Sequence, residues 1–266
     1  MTRYITTLRK AFLLEDGGVI SLVGAGGKTS LMFRIAGEIS KTGETVLTAT
    51  TTRILFPTRH QSSSVLLASS LESIREKAPA LLKDTPHLTA APSRAQARRD
   101  KLNGFQSDFI NALWRTGLFQ WIVIEADGAA GRPLKAPAPH EPVIPGCTQR
   151  LIGVVGLKGI GKSLADDWVF RPELFARITG TELKSPVTET AVAAAILDGD
   201  GIMKGAPAGA EWIVFLNLAG DQELLESGRK IAQILCQNKE NASLKRVVIG
   251  NALDEPAVIE YYDLER

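Results

Sequence analysis

Short β-branched runs alternate along the chain with stretches whose apolar residues recur at helical spacing. Val19–Val23 (VISLV) is continuously apolar but for one serine and predicts a buried strand. Leu31, Ile35 and Ile39 then recur every fourth residue, which predicts a helix over Thr29–Ser40. Glu44–Thr50 (ETVLTAT) predicts the next strand, Val65–Ala68 a short one and His87–Ala90 another. Leu71–Leu82 predicts a helix whose end Pro79 should weaken. Phe105–Arg115 puts Phe105, Phe109, Ala112 and Leu113 on one helical face, and Trp121–Glu125 (WIVIE) is the most apolar strand of the first half. Leu151–Val155, Trp212–Leu216 and Arg246–Ile249 predict further strands; Glu189–Leu197 and Gln222–Cys236 predict helices. Arg132–Pro145 holds five prolines and predicts irregular structure, since each removes a backbone donor. This alternation predicts an α/β fold, a mostly parallel sheet flanked by helices. The favoured division is one domain over residues 1–266 with an elaborated second half; a boundary near 132–150 is the alternative.

The first strand runs directly into Gly24-Ala25-Gly26-Gly27-Lys28-Thr29-Ser30, and a helix comes next. That order makes a phosphate loop. Small residues let backbone N–H groups approach an anion closely, and the helix N-terminus adds partial positive charge. Lys28 would reach the outer phosphates and the Thr29 hydroxyl would bind Mg²⁺. The spacing, G-x-x-G-K-T, is shorter than the standard loop and resembles the compact phosphate loop of the Mur ligases, implying a P-loop NTPase-like fold. Gly156–Ser163 (GLKGIGKS) matches the standard pattern letter for letter. The ten residues after it, LADDWVFRPE, make a poor first turn of helix, so this second segment reads as a flexible loop.

Strand WIVIE ends in Glu125-Ala126-Asp127, two carboxylates on one side of a rigid strand. The favoured split gives Asp127 to Mg²⁺ and Glu125 to the nucleophile. The second strand ends in Thr50-Thr51-Thr52-Arg53, where Thr51 could take a metal and Arg53 a phosphate. Arg132, Lys135, His140 and Glu141 crowd the proline-rich stretch. The two cations suit charge neutralisation in phosphoryl transfer, and His140 or Glu141 suits acid–base work.

Composition changes this picture mainly by exclusion. The chain has 266 residues, with Lys+Arg 31 against Asp+Glu 29, so charge makes no case for nucleic acid or a membrane as partner. Two cysteines and three histidines are too few for a disulfide scaffold or a cysteine-cluster metal site. No leader-like or spanning segment stands out, and the expectation is a cytoplasmic protein. Arg94, Arg98, Arg99 and Lys101 form a basic run that reads as a solvated face.

GAGGKTSL, TATTTRI, IEADGAAGRPLKAPAPHEPVIP and the later FRPE together resemble the YqeC family, over about residues 13 to 250. That family is described as accessory to selenium-dependent molybdenum hydroxylases. The resemblance implies a nucleotide-dependent role in maturing such an enzyme, with the hydroxylase or its cofactor as partner. Phe170 stands where that family pattern has a histidine. Trp212–Leu216 leads into Asn217-Leu218-Ala219-Gly220-Asp221, which lacks the lysine of guanine-reading N-K-x-D, so ATP is expected over GTP. Three activities remain open: an ATPase or phosphoryl or nucleotidyl transferase, a Mur-like carboxylate–amine ligase, and a nucleotide-gated chaperone. A homodimer is also left open.

Overall fold

The computed structural model describes residues 6–98, 100–238 and 241–264. After a short helix α1 (Leu8–Ala11), strand β1 (Gly18–Gly24) leads through the glycine loop into α2 (Lys28–Ser40). Then come β2 (Val46–Thr50), β3 (Arg53–Leu55), β4 (Val65–Leu67), α3 (Leu71–Leu82), β5 (His87–Ala91), β6 (Lys101–Asn103) and α4 (Ser107–Trp114). β7 (Trp121–Glu125) and β8 (Leu134–Lys135) precede β9 (Arg150–Gly156), β10 (Val169–Phe170), α5 (Pro172–Thr179) and α6 (Glu189–Leu197). The chain closes with β11 (Glu211–Asn217), α7 (Gln222–Gln237), β12 (Leu244–Gly250) and β13 (Val258–Asp263).

Nine strands form one sheet in the order β13-β12-β11-β9-β1-β7-β2-β5-β4. All its pairings are parallel except β12 with β13. The same sheet therefore crosses the proline-rich segment, with β7 and β9 on either side of β1. A parallel sheet needs cover on both faces, which is why β1, β2, β5 and β7 are buried throughout. Residues alternate between faces along β1: Ile20 and Leu22 pack with α1 and α2. Val19 faces the α3 and α4 side chains, and Val23 those of α5, α6 and α7. After β1 the chain passes through β2 to the edge strand β4, comes back through β5 and returns beside β1 at β7, then builds the other way. The glycine loop thus leaves the sheet at its topological switch, where the carboxyl ends of neighbouring strands leave a crevice.

Two expectations need correcting. The proline-rich stretch is not wholly irregular: Leu134–Lys135 pairs in parallel with Val169–Phe170. Pro133 contributes its carbonyl, which accepts from Gly156 N–H at 2.9 Å, so the segment is built into the sheet edge. Gly156–Ser163 is not a loose loop either. It makes only a three-residue 3₁₀ turn, Leu157–Gly159, and no helix succeeds it directly. Gly161 N–H donates to Val187 O and Val187 N–H to Lys162 O, both at 2.8 Å, which pins the segment. Pro79 lies within α3 without ending it before Leu82.

The glycine loop is held by backbone contact. Gly24, Gly26 and Gly27 all have positive φ. A Cβ on Gly26 would sit 2.4 Å from Gly156 Cα and 2.8 Å from Pro133 O. Gly43 also has positive φ (+84°), but nothing lies within 4 Å of its Cβ position. We expect Gly26→Ala to lose ~2–5 kcal/mol, from the left-handed backbone plus backbone overlap. Gly43→Ala should lose only the ~1–2 kcal/mol of the backbone term. Urea unfolding of both variants checks this; equal losses would mean the loop relaxes freely away from β9.

Candidate functional site

The carboxyl ends of β1 and β7 carry the charged centre. Register sets Leu22 beside Glu125, so Asp127 lies next to Gly24, whose N–H donates to Asp127 Oδ2 at 3.0 Å. Lys28, in the first turn of α2, turns back over its own loop. Its Nζ donates to Gly24 O at 2.6 Å and lies 3.1 Å from Asp127 Oδ1 and 3.9 Å from Glu125 Oε1. The Thr29 hydroxyl donates to Glu125 Oε2 at 2.6 Å.

A second lysine completes the centre. Lys135 Nζ donates to Asp127 Oδ2 at 2.9 Å, to Gly128 O at 2.6 Å and to Glu141 Oε2 at 2.9 Å. It is 1% exposed, so these three acceptors replace its water. Glu141 also accepts from Arg171 at 2.7 and 3.1 Å in a bidentate pair. Arg171 holds a left-handed backbone (φ +63°) just before Pro172 opens α5. The Phe170 ring lies against both cations, 5.8 Å from Lys135 Nζ and 4.3 Å from the Arg171 guanidinium.

Burial sets the protonation. It pushes the Glu125 carboxyl up, while Lys28 and the Thr29 hydroxyl pull it down less strongly. Burial also acts to raise Glu141, but hydrogen bonds from Arg171 and Lys135 outweigh it and hold that carboxyl at about 2. Asp127 Oδ1 is buried and has no hydrogen-bond partner among the described residues; its contact with Lys28 is an ion pair only.

The seven loop residues divide in two. Gly24 N–H goes to Asp127, Ala25 N–H to Val154 O at 2.8 Å and Gly26 N–H to Arg132 O at 3.1 Å. The amides of Gly27, Lys28, Thr29 and Ser30 have no acceptor among the described residues, and α2 has no side-chain cap. Four free N–H groups at the start of a 13-residue helix are an anion-binding end. Beside them lies a cleft of about 260 Å³, walled by Trp168, Leu218, Leu253, Pro133 and Lys158.

Other expected residues go elsewhere. Arg53 is exposed on β3 and faces a separate hollow with Arg94 and Lys101 rather than the lysine–carboxylate centre. The Thr51 hydroxyl donates to Val143 O at 2.7 Å and ties down the proline-rich segment. The Arg132 side chain turns to the backbone carbonyls of Asp166 and Ala130. His140 is exposed and has no hydrogen bond or ion pair among the described residues. Arg99 lies outside the described residues. Lys162 sits over the Trp168 ring at 5.2 Å. No cluster of three or more His, Cys, Asp or Glu suited to a metal occurs among the described residues. None of the helices described is long and apolar enough to cross a membrane.

Two site residues escaped the sequence reading. Asn217, at the end of β11, donates its Nδ2–H to Gly26 O at 2.7 Å and accepts from Ala252 N–H at 2.9 Å. It clamps the glycine loop from a position 191 residues away. Arg171 was visible only as part of FRPE. Its role needed the partner, Glu141, 30 residues earlier.

Comparison with known proteins bears on the whole chain. A family model described as "YqeC protein" matches residues 20–173. The uncharacterized YqeC protein of Escherichia coli K12 is 33% identical over 246 residues, which is 90% of each chain. A crystal structure of FtsY from Mycoplasma mycoides aligns with 98% of this chain and 67% of its own, at a TM-score of 0.38 and 13% identity. The matched family segment contains the glycine loop, Glu125, Asp127, Lys135, Glu141 and Arg171, and by these matches the chain belongs to the YqeC family.

Proposed function

We propose that the chain binds Mg-ATP on the Gly24–Ser30 loop and uses it, by hydrolysis or by phosphoryl or nucleotidyl transfer, as an accessory protein in maturing selenium-dependent molybdenum hydroxylases. The observation that carries the nucleotide reading is the first turn of α2. It offers four unpaired amides, while Lys28 and Thr29 of the same turn meet Glu125 and Asp127. The hydroxylase link rests on family membership.

The residues present fit the nucleotide and its metal. The Thr29 hydroxyl and the Glu125 carboxylate are hard oxygen donors of the kind Mg²⁺ takes, and they already meet at 2.6 Å. Asp127 already faces two ammonium groups, at 3.1 and 2.9 Å. Their repulsion disfavours a divalent cation there, so we assign the metal to Thr29 and Glu125 in place of the Asp127 expected from spacing. Asp127 then orients Lys28. Magnesium supplies charge neutralisation when bound. Lys28 would leave its own loop carbonyl for phosphate oxygens, and Lys135 would hold Asp127 in its absence.

Asp221 is not placed to read guanine. Asp221 caps α7, accepting from Leu224 N–H at 2.9 Å, and both ends of the Asn217 amide are engaged within the protein. An apolar cleft then takes a base by contact and stacking, which supports ATP over GTP.

Thermal melting with Mg-ATP and Mg-GTP tests the reading. A ligand at ~100 times its Kd adds about 2.7 kcal/mol of stability. We expect a shift with Mg-ATP that is lost in Lys28→Ala, kept in Lys162→Ala and smaller with Mg-GTP. A shift surviving Lys28→Ala but not Lys162→Ala would move the nucleotide to the second loop and overturn the assignment.

Glu141 gives a pH test of the centre's integrity. Its carboxyl lies at about 2 in the fold against an ordinary 4.5. Its charge therefore stabilises the fold above about pH 4.5, and that contribution fades as pH falls toward 2. The Tm gap between wild type and Glu141→Gln should be full at neutral pH and close over that window. A gap that stays constant down to pH 2 would mean the two cations do not depend on the Glu141 charge.

A further inference from the structure

β3 and β6 form an antiparallel ribbon outside the main sheet, with Arg53 opposite Asn103, Ile54 opposite Leu102 and Leu55 opposite Lys101. Alternation divides it cleanly. Ile54 and Leu102 are buried in the core cluster that includes Phe33 of α2. Arg53, Leu55, Lys101 and Asn103 share the other face. Residues 93–95 run along β6 through an isolated antiparallel bridge, Arg94 opposite Leu102: Asn103 N–H donates to Ser93 O at 3.0 Å and Ala95 N–H to Lys101 O at 2.9 Å.

The outer side is a hollow of about 440 Å³ lined by Arg53, Arg94, Arg98 and Lys101, with Ser93 and Asn103 among its neutral groups. No carboxylate among the described residues lines it. Arg98 is matched by Asp100 at 3.1 Å, and Arg94 lies 4.1 Å over the Phe56 ring. Arg53 and Lys101 form no ion pair within 4 Å among the described residues, although Lys101 also feels the Asp100 carboxylate. They are diagonal neighbours on the ribbon, roughly 7–8 Å apart by strand geometry. The whole chain has an excess of only two positive charges, so four cations around one hollow are a local concentration. Two side chains fix the shape: the Asn103 amide donates to Ser93 Oγ at 3.0 Å and to Arg94 O at 3.3 Å.

The hollow has a fixed relation to the charged centre. Thr50 pairs with Glu125, and after a bend at residues 51–52 the chain opens β3 at Arg53. A Cβ on Gly104 would lie 2.4 Å from the backbone of Thr51 and Thr52, so the base of the ribbon is pressed against the end of β2.

We infer that this hollow is a second anion site, taking the phosphate groups of a phosphorylated small molecule on Arg53, Lys101 and Arg94. Its volume is that of a small-molecule pocket, and it is a local concavity where nucleic acid would need an extended track. Unpaired like charges held side by side repel one another, and a bound anion relieves that repulsion. The seat lies at the same end of the sheet as the glycine loop, which suits the second substrate of a nucleotide-dependent reaction. That last step rests on the nucleotide reading above; anion binding in the hollow does not.

The test is isothermal titration with inorganic pyrophosphate at low and moderate salt, on wild type, Lys28→Ala, and Lys28→Ala carrying Arg53→Gln and Lys101→Gln. Both added substitutions are on an exposed face, and an unchanged unliganded Tm confirms that they leave the fold intact. We expect Lys28→Ala to retain one salt-sensitive pyrophosphate site, weakened about tenfold or more in the triple variant. No pyrophosphate binding in Lys28→Ala, or binding unchanged in the triple variant, would overturn the inference. A single-stranded oligonucleotide that outcompetes pyrophosphate through the same two residues would overturn it in favour of a nucleic-acid face. If wild type gives no Mg-ATP melting shift while the Arg53- and Lys101-dependent site persists, the nucleotide reading fails and the hollow stands.

Discussion

The structure depends on a buried carboxylate held between two buried lysines. Asp127 is 2% exposed, and Lys28 and Lys135 approach it at 3.1 and 2.9 Å. Such an arrangement is a poor way to gain stability. Desolvating the charges takes back most of what their attraction gives, and apolar side chains of similar size do as well or better. Removing one partner is costly, because it strands a charge. A centre of this kind therefore constrains everything around it. Gly128 must present its carbonyl to Lys135, and Glu141 must reach in from the proline-rich segment. Arg171 must in turn balance Glu141 from a left-handed backbone.

That constraint explains why the proline-rich segment lies where it does. Arg132 and Pro133 give their carbonyls to Gly26 and Gly156, and Val143 bonds to Ala126 and Thr51. The segment is stitched to β1, β2, β7 and β9 at their carboxyl ends. Prolines suit this because a chain with few conformations to lose is fixed at low entropic cost. Lys135 and Glu141 are then carried into place by backbone bonds on both sides, independently of their own ion pair.

The glycine loop answers the same geometry from the other side. Gly26 and Gly156 touch backbone to backbone, a contact no side chain would permit. The segment that matches the standard phosphate-loop pattern therefore serves as the wall behind the shorter one. No α-helix succeeds it directly, so no α-helix N-terminus backs it.

Much of the fold was legible in the chain. Apolar alternation and helical spacing marked most strands and helices of the main sheet, because a buried parallel sheet demands long apolar runs. The short pieces β3, β6, β8 and β10 were not legible, since two or three residues carry no period. By itself the sequence determined the strand–glycine loop–helix order, the paired acids Glu125 and Asp127 and the family. All three are local patterns, in which neighbours along the chain are the interacting groups. Only the tertiary structure decided which cations meet those acids. It turned Arg53 and Arg132 away, brought Lys135, Glu141 and Arg171 together, and set Asn217 on a loop 191 residues distant. The reason is physical. A side chain's charge and hydrogen-bonding capacity are written in its identity, but its partner is chosen by the sheet order, which no short window of the chain contains.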